Sequence, residues 1–168
     1  MSYYIVLRCI MYHTQRIPRS DYRALAELRY AIRKFLAFSA EAARAVNIEP
    51  QQHQLLLAVK GLPDDTRPTI RAVAERLQLQ HHSAVELVNR SIAHGLLERH
   101  QGEADHREVI LHITPAGERL LRKLSLAHKT ELRAAAPALV TSLSAIIGGA
   151  ESRPRSDYRR PQPQRTLQ

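Results

Sequence analysis

Nine histidines in 168 residues have the widest chemical reach in this chain, and their spacing decides what they can do. His81 and His82 are adjacent, so on a helix they point roughly 100° apart and do not face one ion together. His94, His100, His106 and His112 recur every six residues across a helix end, a strand, a loop and a second strand, a spacing that does not converge on one point. No His-Glu-x-x-His or cysteine-rich pattern accompanies them. We therefore expect no metal and no cofactor. No serine, cysteine or carboxylate stands in a nucleophile motif, and no glycine-rich phosphate loop occurs, so an enzyme is not expected either. The one cysteine, Cys9, has no activating neighbours in the sequence and is expected to be an inert thiol. A single cysteine makes no internal disulfide, which agrees with a reducing, cytoplasmic setting.

The polar residues of Thr69–Pro115 are a different matter, because their order brings them onto one surface. Thr69 is a candidate N-cap for a short helix, Ile70–Leu77, whose Ile70, Val73, Ala74 and Leu77 form a narrow inward stripe. A tight turn, Gln78-Leu-Gln80, leads to a second helix over about His82–His94. Ala84, Leu87, Val88 and Ile92 turn inward there, and Gly95 is the expected C-terminal glycine. The opposite side carries His82, Ser83, Glu86, Asn89, Arg90 and Ala93. Two alternating runs follow, Leu97–Gln101 and Glu108–Ile113, joined by a charged tip containing Asp105, His106 and Arg107. A helix-turn-helix followed by such a hairpin is a winged helix, which presents one helix to a DNA groove and one loop tip to the neighbouring backbone.

Each of these side chains has a specific use on DNA. His81, His82 and Ser83 open the second helix, where base edges are met and where the helix dipole favours phosphate. Asn89 and Arg90 lie further along the same face. Arg107 at the hairpin tip suits a narrow minor groove, where negative potential concentrates, and Asp105 can accept from its guanidinium. Glu86 is repelled by phosphate but can accept from a cytosine amino group. That carboxylate also keeps a second reading open, in which the winged helix binds another protein and never reads DNA.

The elements that must hold these residues are mostly helical. Leu25, Leu28, Ile32, Phe35, Leu36, Ser39 and Ala43 fall at helical steps between Asp21 and Val46, and Asn47 can end that helix. Pro50 suits the first turn of the next helix, which runs to Lys60 with Leu55, Leu56 and Val59 inward. Gly61–Pro68 is a loop by composition. After the hairpin, Thr114-Pro115 is a helix start, and a long helix is expected to about Ala134. Pro137 marks a break or a fresh start before an apolar face that continues to Gly148-Gly149. The expected fold is mostly α with a small β-hairpin wing: a winged helix-turn-helix domain plus a helical dimerisation region.

The net charge is +9, in three equal parts. Residues 1–20 hold three arginines and no acid, and 151–168 hold five arginines against Glu151 and Asp157. The remainder, 21–150, holds 17 basic against 14 acidic side chains. A basic total favours a polyanionic partner, but two thirds of the excess lies in the ends. We expect 1–20 to be a flexible extension and 149–168 a disordered basic tail. The 44% apolar content suffices for one packed domain. No run of about 18 uncharged apolar residues signals a membrane span, and Tyr3–Tyr12 lacks the basic leader of a secretion signal.

At Gly95-Leu-Leu-Glu-Arg, and at Ala104-Asp-His-Arg107 followed by Leu111-His-Ile-Thr-Pro-Ala-Gly117, the chain resembles the MarR family of bacterial transcriptional regulators. The resemblance covers about 21–148. It implies a homodimer built from helices 21–46 and 115–148, with 50–113 as the DNA-binding part. It also implies binding to a palindromic double-stranded operator, as a repressor released by a small, usually aromatic or phenolic, ligand. By position it places Ser83, Asn89 and Arg90 on the recognition helix and Asp105 and Arg107 on the wing; Glu86 departs from the basic or hydroxylated residue of many relatives. Tyr22, Tyr30, Phe35 and Phe38 of the first helix, with His53 and Leu55 of the second, are candidates to line a ligand pocket; Tyr30, Phe38 and His53 stand first among them.

Overall fold

The computed structural model describes residues 17–102 and 108–151, the side chains of 149–151 excepted. The elements are α1 (Arg19–Arg44), α2 (Pro50–Lys60), α3 (Ile70–Leu77), α4 (His81–Ala93), β1 (Leu97–Gln101), β2 (Val109–Ile113) and α5 (Pro115–Glu151). They fall into two compact units, one formed by residues 31–137 and the other by the described residues up to Tyr30 together with those from Ala138. The candidate site lies wholly in the first of these.

Three helices of that unit end in the same way. After α1, Asn47 takes a left-handed φ of 60°, and the Ile48 N–H reaches back to the Ala43 carbonyl while the Asn47 N–H reaches Arg44. Gln78 does the same after α3 with φ 54°, its turn closed by Leu79 N–H to Ala74 O. Gly95 follows α4 with φ 66°, and Leu96 N–H bonds Ser91 O. These paired bonds satisfy carbonyls that the helix ends would otherwise leave open, and they drop Ile48 and Leu96 into the core. Only Gly95 occupies the left-handed region without steric penalty.

At the other ends the caps are as legible. The Thr69 hydroxyl accepts from Ala72 N–H at 3.2 Å to start α3, an interaction typically worth about 1 kcal/mol. Pro50 is the first residue of α2. α5 begins at Pro115, and it runs without interruption through Pro137 and past Gly148 and Gly149 to Glu151. The expected break at Pro137 is therefore corrected: a proline removes one N–H and crowds the preceding turn, but the flanking residues keep the helix going. The division between the two units nevertheless falls at Pro137 and Ala138.

The core of residues 31–137 gathers Ala43 from α1, Leu55 and Leu56 from α2, Val73 from α3, and Leu87 and Val88 from α4. Leu97 and Leu111 of the hairpin and Leu121 and Leu124 of α5 complete it. Burying each large aliphatic side chain stabilises by roughly 1.5–3 kcal/mol relative to leaving it in water. β1 and β2 pair antiparallel with Leu97 opposite Ile113, Arg99 opposite Leu111 and Gln101 opposite Val109. The segment before α3 adds to this sheet, with Leu111 N–H bonding Pro68 O at 2.8 Å and Thr69 bridging Ile110.

Candidate nucleic-acid interface and a histidine-floored pocket

α4 buries Ala84, Leu87, Val88 and Ser91, and the Ser91 hydroxyl is satisfied by the Leu87 carbonyl at 2.9 Å. The helical repeat then leaves His81, His82, Glu86, Asn89 and Arg90 exposed, while Ser83 is half-buried. No side chain caps the first turn, since the N-cap Gln80 makes no such bond, and that turn contains no acid. Its N–H groups and the positive end of the helix dipole therefore face outward beside two histidines.

Two residues of this face have partners inside the protein. The Asn89 Oδ1 accepts from the Arg99 guanidinium at 2.8 Å, tying α4 to β1. Arg90 lies 3.3 Å from the Glu49 carboxylate at the start of α2. Arg99 was not singled out in the sequence, although its parity with buried Leu97 puts it on the hairpin side turned toward α4. Gln52 was also missed. It is fully buried, accepts from Glu49 N–H at 2.9 Å and meets His94 Nδ1 at 3.3 Å, so it links the start of α2 to the end of α4. The outermost wing residues Asp105, His106 and Arg107 lie outside the described residues, whose hairpin closes through Gly102 N–H to Glu108 O at 2.9 Å.

The six-residue spacing of histidines turns out to bring two of them together. Antiparallel pairing places the rings of His100 and His112 with centroids 4.4 Å apart, and the Glu98 carboxylate is 3.0 Å from His100. Among the described residues no group of three or more histidine, cysteine or acidic side chains is arranged to hold a metal ion.

Between α1, α2 and α5, a pocket of about 640 Å³ is lined by Phe35 of α1, His53 and Leu57 of α2, and Ser125, His128, Lys129, Leu132, Arg133 and Ala136 of α5. Of the expected pocket residues, His53 and Phe35 line it, and Phe38 stands behind it with its ring 5.5 Å from that of His128. Tyr30 does not line it; the residue is 60% exposed. Tyr22 is likewise exposed, and Leu55 is fully buried in the core instead. A helical stripe cannot reveal which of its aromatics turns toward a third helix. The α5 half of the pocket went unread, although His128 follows Leu121 and Leu124 at helical spacing and so belongs to their inward face.

The floor of the pocket is polar and unsatisfied. His53 is 2% exposed and neither ring nitrogen has a hydrogen-bond partner. Its ring lies 4.6 Å from that of His128. The His128 Nδ1 contacts the Leu124 carbonyl at 2.6 Å, which can only accept, so Nδ1 carries a proton, and Nε2 has no partner. Burial, with the neighbouring His128 imidazole, pushes the His53 pKa from the usual 6.5 down to about 4.

Residues 46–108 match the sequence profile of the MarR family. The match takes in the winged-helix segment alone. No curated protein matches the sequence. Solved structures extend the likeness in fold beyond the segment. AbsC, a MarR family transcriptional regulator from Streptomyces coelicolor, superposes with a TM-score of 0.63 at 18% identity, over 82% of this chain and 97% of its own. BpsR of Bordetella bronchiseptica gives 0.55 at 18%, over 76% and 91%. A mutant MarR from E. coli, complexed with operator DNA, gives 0.57 at 16%, over 73% and 89%. At these identities the match is one of architecture: mostly α with a hairpin wing.

Proposed function

We propose that this chain is a sequence-specific DNA-binding transcriptional regulator that works as a homodimer, repressing from a palindromic operator and released by a small aromatic or phenolic ligand. The observation that carries the reading is the outward face of α4. Its uncapped first turn with His81 and His82, and its polar stripe through Glu86 and Asn89, stand beside a hairpin whose tip contains Arg107. Support comes from the E. coli MarR structure, which contains operator DNA, and from BpsR, whose DNA binding is regulated by 6-hydroxynicotinic acid. The pocket between α1, α2 and α5 has the apolar walls and few polar groups expected of a site for such a ligand.

Selection from a random duplex library tests the DNA reading. An inverted repeat with half-site centres about 10 bp apart, roughly 34 Å along the helix, is expected. Enrichment of no sequence at moderate salt would remove it and favour the alternative, a winged helix that binds protein through the Glu86 side of α4. A thermal-shift screen of aromatic and phenolic acids tests the pocket, because a ligand bound only by the folded state raises the melting temperature.

A further inference from the structure

Among the described residues, the buried side-chain nitrogens and oxygens without partners are both ring nitrogens of His53 and the Nε2 of His128. Polar groups left this way destabilise the folded state unless something compensates. They also sit where three helices meet. α1 supplies Phe35 and Phe38, whose rings approach His128 edgewise at 5.7 and 5.5 Å; α2 supplies His53; α5 supplies His128. The charged groups lining this pocket are Lys129 and Arg133 on α5, and α1 and α2 contribute none. No carboxylate lines it.

A proton on His53 would therefore place an imidazolium in an apolar site, against a second imidazole, under two cations and with no counter-charge. Water is the remaining source of relief, and although the His53 side chain borders the pocket, both of its ring nitrogens are buried, so relief requires α2 to shift from α5. α2 packs on both α3 and α4, so its displacement carries the recognition helix with it. We propose that the His53–His128 stack is an acid-sensitive joint: the uncharged His53 ring holds α2 against α5, and protonation of His53 widens the pocket and loosens the winged-helix segment. The joint concerns the pocket named in the functional reading, and only its consequence for DNA rests on that reading.

The direction follows from the depressed pKa of His53. Stability from the neutral ring is complete above the unfolded value of 6.5 and is lost as pH falls through that value toward about 4. Unfolding by urea should be measured on the full chain at about pH 7.5 and pH 5, and the fluorescence of a dye that reports exposed apolar cavities should be followed further, to about pH 3.5. Between these two conditions, the unfolding equilibrium constant of the unaltered protein should rise on the order of tenfold more than that of His53→Phe. The dye signal should rise below about pH 5, where the folded His53 takes up its proton, in the unaltered protein and stay flat in the variant. An equal acid response in both proteins, or a flat dye signal in the unaltered one, overturns the proposal. Should His53→Phe fail to fold, the His53 ring resonance of the unaltered protein decides: titration near the ordinary 6.5 sinks the joint, and a neutral ring at about pH 5 supports it. No DNA enters these measurements, so their outcome is independent of whether the protein binds it.

Discussion

Gly117 is where the end of α4 and the start of α5 meet. A methyl group at its Cα would overlap the Leu96 carbonyl oxygen and the Ile113 side chain. Beside it, the Thr114 hydroxyl donates to Gly95 O at 2.6 Å and accepts from Gly117 N–H at 3.1 Å. The Leu-x-x-Thr-x-x-Gly pattern thus records a cap and a close approach rather than a functional group. Gly117→Ala should lower stability by about 2 kcal/mol or more, since overpacking against backbone outweighs the roughly 1 kcal/mol by which alanine favours a helix. Urea unfolding checks this; a stability equal to or above that of the unaltered protein would show that the helix start has room. Arg107 belongs to the same scale and rests on sequence alone. Arg107→Ala should weaken DNA affinity by roughly 1–3 kcal/mol, with a shallower salt dependence and an unaltered melting curve. An affinity that does not change would take the wing tip off the DNA.

Among the elements, α4 and α5 show opposite faces of helical reasoning. The inward side of α4 is Ala84, Leu87 and Val88, as their spacing requires, and its outward side follows by elimination. What spacing does not show is that Arg99 and Glu49, arriving from β1 and the start of α2, engage Asn89 and Arg90. A DNA contact by either residue would have to compete with that partner. α5 contradicts a local rule instead, since Pro137 lies inside an unbroken helix. Pro137→Ala removes the clash with the preceding turn and supplies an N–H for the Arg133 carbonyl. It should stabilise the protein by about 1–3 kcal/mol, read as a higher melting temperature. A lower melting temperature would mean that the proline's geometry is needed for packing.

For the whole molecule, the decisive feature is apolar surface left without a partner. Tyr22, Leu25, Tyr30, Val140, Leu143 and Ile147 are exposed in one unit, and Ile32, Leu36, Leu126 and Leu132 in the other. Surface of this kind on soluble proteins marks an interaction site. Sedimentation at micromolar concentration should give a dimer, and a monomer under those conditions would overturn the assignment of α1 and α5 to dimerisation. Charge acts at the same scale. The five arginines of 151–168 lie against two acids and carry no apolar periodicity. Deleting that segment should reduce affinity for random DNA at low salt, fade in effect as salt is added, and leave sequence preference intact. Loss of preference would make the tail a base-reading arm.

Local order along the chain was enough to determine the helices up to Pro137, the hairpin strands and the outward face of α4. Caps, turn residues and apolar periodicity act over a few residues, so Thr69, Gly95 and Thr114-Pro115 could be read directly. The pairing of His53 with His128, the Gln52 link to His94 and the crossing of Arg99 onto Asn89 were decided by tertiary structure. Each joins residues far apart in sequence through the angle at which two elements pack, and a periodic pattern specifies which face is buried without specifying what it meets. The same limit explains Tyr30 and Phe38. Both belong to the first helix and both are aromatic, yet the approach of α5 at His128 alone settles which one turns toward the pocket.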